Sequence, residues 1–301
     1  MASERLIKSS LTRTKSFKSS RYYRFIQGMN RTVLYAIIIA GAIAVVFPLA
    51  WLFMSSLKND NELISWPPKL IPHLLRWSNY FDVIVKHEFF NYVKTTIILE
   101  LLFCPTMVFS SAMSGYGFAR VKAPGRNVLF IVMLASVMIP GIMTFIPQFV
   151  VYSRLHLVGT YWPWLLWGLA GNAYNIFLFR QFFASFPKDL EDAAAVDGCS
   201  PFRTFWQIFL PNARPIIAVV SIGAFNWVWG DYFNQAMLLQ GGDKATLAMK
   251  MVSGFVNPMG RQLVTLTLAA NVIYVIPMVV LFFIAQKEIV RGIGIATGIK
   301  G

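Results

Sequence analysis

Six long apolar runs decide what this chain can become: Thr32 to Met54, Thr95 to Gly115, Val128 to Tyr152, Tyr161 to Phe183, Ile216 to Leu239 and Leu263 to Ala285. Each is close to the ~20 residues with which a helix crosses the ~30 Å hydrocarbon core of a bilayer. In lipid the backbone must satisfy its own polar groups, which leaves helices or closed barrels. The period-two alternation of a barrel strand is absent from these runs, so the expected fold is all-α with six transmembrane helices. Composition agrees, since 56% of the residues are hydrophobic and only 13% charged, about half the charge of a soluble domain.

A net charge of +14 invites a nucleic-acid reading, but the basic residues sort by side of the membrane. Arg5, Lys8, Arg13, Lys15, Lys18, Arg21, Arg24 and Arg31 precede the first run. Arg120, Lys122 and Arg126 lie between runs two and three, Arg180, Lys188, Arg203 and Arg214 between or beside runs four and five, and Lys287, Arg291 and Lys300 follow the last. The positive-inside rule therefore places both termini in the cytoplasm and argues against a nucleic-acid partner. The domain division is a basic cytoplasmic leader (1–31), a six-helix domain (32–286) and a cytoplasmic tail (287–301). The leader lacks the aromatic pattern of a single-strand binder, and the first apolar run is too long for a signal-peptide core, so an uncleaved topogenic leader is expected.

No phosphate loop of the Gly-x-x-x-x-Gly-Lys type occurs, so ATP is not expected to bind this chain. The glycines of Gly292 to Gly298 have the wrong spacing for a dinucleotide fingerprint and follow an apolar run rather than a strand, which leaves a flexible tail. His73, His87 and His156 are isolated, and Cys104 and Cys199 stand far apart. Neither a metal centre nor a catalytic set follows from such spacing. The chain is expected to be no enzyme and to hold no cofactor.

The segment Glu191 to Pro211, EDAAAVDGCSPFRTFWQIFLP, breaks the apolar pattern. It reads as two short helices in a cytoplasmic loop (187–215). Pro187 suits a first helical position, Asp189, Glu191 and Asp192 fall in the opening turn where the helix dipole favours acids, and Ala193 to Ala195 propagate the helix until Gly198 stops it. Ser200 then caps a second helix with Pro201 behind it. Phe202, Phe205, Trp206 and Phe209 fall at i, i+3, i+4 and i+7, the spacing of one apolar face. From the residues alone, this is either a loop packed on its own bundle or a plug presented to another protein.

LEDAAAVDGCSPFRTFWQIFLPNARP, Leu190 to Pro215, closely resembles the EAA loop of ABC-importer permeases, in particular the maltose-type carbohydrate permease family. Asp192, Ala193 and Ala194 fall on the EAA positions, Asp197 and Gly198 on the following Asp-Gly, and Leu210 and Pro211 on the closing pair. The first acid is Asp192 where the family has Glu, with Glu191 beside it. YGFARVKAPGRN, Tyr116 to Asn127, is similar to the family's loop before span three. Ile146 to Trp162 and the closing GIKG are similar to its later motifs, so the likeness runs from Thr32 to the end. It implies a transport subunit that works with a homologous second permease, two cytoplasmic ATPases that bind ATP and magnesium and receive the loop, and an extracytoplasmic solute-binding protein. It also implies an oligosaccharide as cargo and the bacterial plasma membrane as location.

Polar residues inside spans mark candidate solute contacts, because they are costly in lipid. Asn226, Gly230 and Asn234 recur every four residues in span five, with Trp227 and Asp231 on the adjoining row. Span six adds Thr267, Asn271 and Tyr274. Amides, a carboxylate and an indole suit a sugar, and helix packing against a partner permease accounts for the same residues. Glu100 lines an outer cavity or pairs with a neighbour. Arg154, Lys244, Lys250 and Arg261 in the outer connections raise the option of an acidic oligosaccharide, with a neutral one as default. An ABC permease for a non-sugar solute and a non-transport membrane scaffold are the alternatives.

Overall fold

A computed structural model describes residues 31–296, with side chains as far as Lys287. The leader, the closing GIKG and the placement assigned to both termini lie outside the described residues. Apart from one isolated bridge between Val256 and Gln262, all regular structure among the described residues is helical. Helix α1 spans Arg31–Ser56, α2 Phe89–Arg120, α3 Arg126–Ser136, α4 Gly141–Arg154, α5 Trp162–Ala170 and α6 Ala173–Ala184. Then come α7 at Asp189–Val196, α8 at Pro201–Asn212, α9 at Arg214–Trp229, α10 at Phe233–Leu239, α11 at Leu247–Ser253 and α12 at Val264–Ala296.

Among the described residues, only α1, α2 and the stretch Val264–Lys287 of α12 are single helices long and apolar enough to cross a membrane. Runs three, four and five, read as continuous helices, are each broken, and the first two breaks have a local cause. Run three divides into α3 and α4, bent by 98°. Pro140 caps α4 there with φ −59° and ψ 129°, and a proline excludes the helical conformation from the residue before it. Run four parts at Gly171, whose φ of 72° and ψ of 175° few other residues adopt. Asn172 then restarts the helix by accepting hydrogen bonds from the Tyr174 and Asn175 N–H groups. Run five stops at Trp229 and resumes at Phe233. The flexible tail expected from Gly292 is also corrected, because α12 continues helical to Ala296.

Helix α2 is the hub, packing along α6, α5 and α9. Small residues permit this approach, as in membrane helix pairs generally. A side-chain carbon at Gly115 would lie 2.5 Å from Phe179 Cβ, and one at Gly168 3.0 Å from the Phe103 carbonyl oxygen. Aromatic residues from α2, α6 and α8 fill the end of the bundle nearest α7, including Tyr116, Phe179, Phe183, Phe205 and Phe209. At the far end Val83, Phe89, Trp229, Leu247 and Phe255 form a second core with α12.

Helix α1 differs. None of its most apolar window is buried, and its far end is clasped. Asn79 Nδ2 donates to the carbonyl oxygens of Ser56 at 2.7 Å and Lys58 at 3.0 Å. The buried Lys58 ammonium donates to the Lys69 carbonyl and lies 4.4 Å from the centre of the Trp51 ring.

Candidate functional site

The charged segment folds as two helices, as expected, with its punctuation in place. Asp189, Glu191 and Asp192 occupy the first turn of α7, although Pro187 lies two residues upstream of the helix rather than at its start. Gly198 takes φ 74°. Its N–H donates to the Ala195 carbonyl at 3.1 Å, and the Cys199 N–H donates to that of Ala194 at 2.9 Å. That paired pattern is the Schellman stop, which needs a left-handed residue at this point. Ser200 Oγ accepts from the Arg203 N–H at 3.3 Å and so caps α8.

The aromatic face divides where the expectation had it whole. Residues Phe205–Phe209 form a π turn, and the wider turn spreads the four rings around the helix. Phe205 and Phe209 are buried at 1% and 0% exposure, while Phe202 and Trp206 stay 61% and 52% exposed. Leu210 packs against the same core, and Pro211 is exposed.

Arg120, read from sequence only as a topogenic cation, fastens this unit to the bundle. Its side chain is 8% exposed. Nε and Nη2 donate to the Phe183 carbonyl at 3.1 and 2.7 Å, and Nη2 also donates to the Phe186 carbonyl. These acceptors lie at the end of α6, where helix carbonyls lack partners and a cation is favoured. The guanidinium stands 5.3 Å from the centre of the Phe209 ring and pairs with Glu191, Nε to Oε1, at 3.4 Å. That contact lies outside hydrogen-bond geometry and leaves the buried Oε1 without a donor.

Glu191 therefore turns partly into its own bundle, with its side chain 29% exposed, and Ala194 is buried at 2% exposure. Asp192, Ala193, Asp197 and Gly198 form the exposed edge of α7, with Val196 projecting at 88% exposure. The sequence pattern did not single out this exposed apolar side chain.

The second candidate is a cavity of about 890 Å³ bounded by α2, α4, α5, α6, α9 and α10. Its lining carries Thr144, Gln148, Asn172, Tyr174, Asn175 and Asn234, with Trp167 and Trp227 as aromatic walls, and includes no charged residue. Trp227 stacks on Phe103 at 4.7 Å between ring centres and meets Trp167 edge-on at 5.6 Å. Asn172 Oδ1 is engaged in capping α6, so the donor side of its amide remains for the cavity.

Of the residues expected to share one face, Trp227 and Asn234 reach this cavity and the others do not line it. The break after Trp229 separates what a continuous helix would have aligned. Asn226 and Gly230 are exposed elsewhere. Asp231 Oδ1 accepts from the Asn234 N–H at 3.0 Å, capping α10. In α12, Asn271 is absent from the lining, and Tyr274 is structural. Its hydroxyl donates to the Trp229 carbonyl at 2.5 Å while Trp229 Nε1 donates to the Tyr274 carbonyl at 3.0 Å. Thr267 Oγ1 accepts from the Phe255 N–H at 3.2 Å. Glu100 is 8% exposed and accepts from Cys104 Sγ at 2.8 Å, away from the cavity. Of the missed residues, Asn172 and Asn175 sit at the break after Gly171 and Gln148 lies within α4; polar groups within apolar runs were the available signal.

A family model described as binding-protein-dependent transport system inner membrane component matches residues 89–295. The osmoprotective compounds uptake permease protein GgtD of Synechocystis is 30% identical over 291 residues, covering 93% of this chain and 96% of its own length. The arabinooligosaccharides transport system permease protein AraQ of Halalkalibacterium halodurans is 30% identical, covering 86% and 93%. The diacetylchitobiose uptake system permease protein NgcG of Streptomyces coelicolor is 28% identical, covering 88% of each. The same fold occurs in a crystal structure of a bacterial ABC transporter involved in the import of the acidic polysaccharide alginate. A chain of it matches with a TM-score of 0.75 at 23% identity, covering 88% of this chain and 96% of that one.

Proposed function

Since this chain belongs to the family of inner membrane components of binding-protein-dependent transport systems, we propose that it forms half of a membrane path for a neutral di- or oligosaccharide. A homologous permease supplies the other half, an extracytoplasmic binding protein delivers the cargo, and ATP with magnesium is bound in two separate cytoplasmic ATPases. The chain crosses a bacterial inner membrane six times, the middle three crossings being the broken ones, with both termini in the cytoplasm.

The observation that carries the substrate reading is the cavity lining. Planar amides and hydroxyls match sugar hydroxyls, and indole faces match the C–H side of a pyranose. A carboxylate there would meet no cation of this chain, and an unpaired charge is expensive away from water. Two of the four outer cations are also engaged elsewhere. Lys244 donates to the Gly159 carbonyl, and Lys250 lies 4.6 Å from the centre of the Phe255 ring. A second reading, a small osmoprotective solute, is carried by the relative that covers the most of this chain among those described. The coupling role of the loop rests on the exposed edge of α7, where Val196 with Ala193 enters a cleft of the ATPase.

Uptake by the reconstituted complex separates these cases. Neutral oligosaccharides should be transported and uronides of equal length refused at any ionic strength, with Trp227→Ala and Asn234→Ala slowing uptake at least tenfold, about 1.4 kcal/mol. Equal uptake of the uronide, or normal uptake by both variants, would overturn the cavity assignment. Exclusive uptake of a small polyol would favour the second reading.

A further inference from the structure

A buried polar chain runs from the far end of the bundle to the back of the cavity wall. Thr246, Gln235 and Thr96 are all at 0% exposure, a state tolerated only when polar atoms are partnered. Thr246 Oγ1 donates to Gln235 Oε1, and Gln235 Nε2 donates to the Val228 carbonyl at 2.6 Å. The Leu247 N–H donates to Thr96 Oγ1 at 2.9 Å. Thr246 is also the residue that caps α11, accepting from the Met249 N–H at 3.3 Å.

What these groups join gives them a role. Val228 and Gln235 stand on opposite sides of the break between α9 and α10, and each directly follows a cavity residue, Trp227 and Asn234 respectively. The Gln235 amide thus splints the break from behind, while Thr246 ties the splint to α11. Leu247 continues the link by packing into the core that holds Trp229, and Trp229 is itself locked to α12 through Tyr274. A chain of hydrogen bonds in a low-dielectric interior resists distortion cooperatively. Displacement of α11 is therefore passed to the spacing of Trp227 and Asn234.

We propose that Gln235 and Thr246 are positioning residues that couple α11 to the cavity, so that a partner docked on α11 reshapes the groups that face the cargo. The coupling rests on the reading of this chain as a permease only for the identity of that partner.

The test uses the purified complex in lipid nanodiscs, with Cys104→Ser, Cys199→Ser and Asn234→Cys introduced, and follows modification of residue 234 by a charged maleimide. Thr246→Val should change the rate by about tenfold, the scale set by one buried hydrogen bond, whereas Thr246→Ser, which keeps the hydroxyl, should not. Gln235→Glu retains the acceptor for Thr246 and loses the donor to Val228, so it gives an intermediate change and serves if the valine variant misassembles. In the background without Asn234→Cys, Thr246→Val should keep basal ATP hydrolysis and lose stimulation by the loaded binding protein. Equal modification rates across these variants would overturn the coupling whatever the cargo. A wild-type complex that no binding protein stimulates, with the modification rates still differing, would overturn the permease reading and leave the coupling standing.

Discussion

Arg120→Met removes the guanidinium that holds the α7–α8 unit while keeping an unbranched stem against Phe209. Two carbonyl oxygens at the end of α6 lose a charged donor, and such bonds contribute about 1.5 kcal/mol each at the lower end of their range. The Glu191 pair adds little, about 0.5 kcal/mol, because its side chain is 29% exposed and the 3.4 Å contact is a loose one. Setting the small Glu191 contribution aside, docking of the unit should weaken by roughly 3 kcal/mol, about a hundredfold in the undocked population. Amide hydrogen exchange reads this directly, since local opening sets the exchange rate of protected groups. Amides 194–199, which carry the Schellman hydrogen bonds, should exchange about a hundredfold faster in Arg120→Met, with the α2–α5 contact unchanged. Sugar uptake should fall with it. Glu191→Gln should change exchange by less than about threefold. Unaltered exchange in Arg120→Met, or equal effects of the two substitutions, would refute the assignment of Arg120 as the fastening.

Ala193→Trp should abolish recovery of the ATPase with the complex while leaving the melting temperature unchanged, whereas Ala194→Trp, placed in a buried position, should lower the melting temperature itself. Gly198→Val forces a branched side chain to φ 74° and should cost roughly 1–2 kcal/mol in thermal denaturation; an unchanged melting curve argues against a fixed stop. Removing Val256 to Gly260, the turn closed by the Val256 and Gln262 bridge, should eliminate stimulation by the binding protein without loss of basal hydrolysis, which an unaffected stimulation would contradict. Burial, then repulsion from Lys250, hold the His87 imidazole below its ordinary 6.5, although Asp82 acts in the opposite sense. The unfolded chain protonates first, so stability present above that value is lost as the pH falls through the lower folded one. Melting temperature should drop more between about pH 7 and pH 5.5 in wild type than in His87→Gln.

Legibility from sequence followed the range of the forces involved. Helical class and the α7–α8 punctuation are set within a few residues, by apolar length, a proline, a serine cap and a left-handed glycine, and these were readable. The breaks at Pro140 and Gly171 were also local, yet their effect was masked because the flanking residues are apolar enough to suggest an unbroken span. Arg120 was beyond reach for a different reason. Its acceptors are carbonyl groups more than 60 positions away, and backbone oxygens leave no trace in the side-chain pattern. The Asn226 to Asn234 stripe is divided because periodicity counts residues on an ideal helix, and three residues at Gly230 to Tyr232 do not follow one.

Helix α1 gives this bundle almost no packing energy along its shaft, so within the chain it is held chiefly by the clasp at Ser56 and Lys58. It behaves thermodynamically as a tethered neighbour of the fold rather than as a member of it. Within this chain, a change of equal length and hydropathy along the shaft disturbs little packing against the bundle, whereas a change at the clasp removes the contacts that hold the helix.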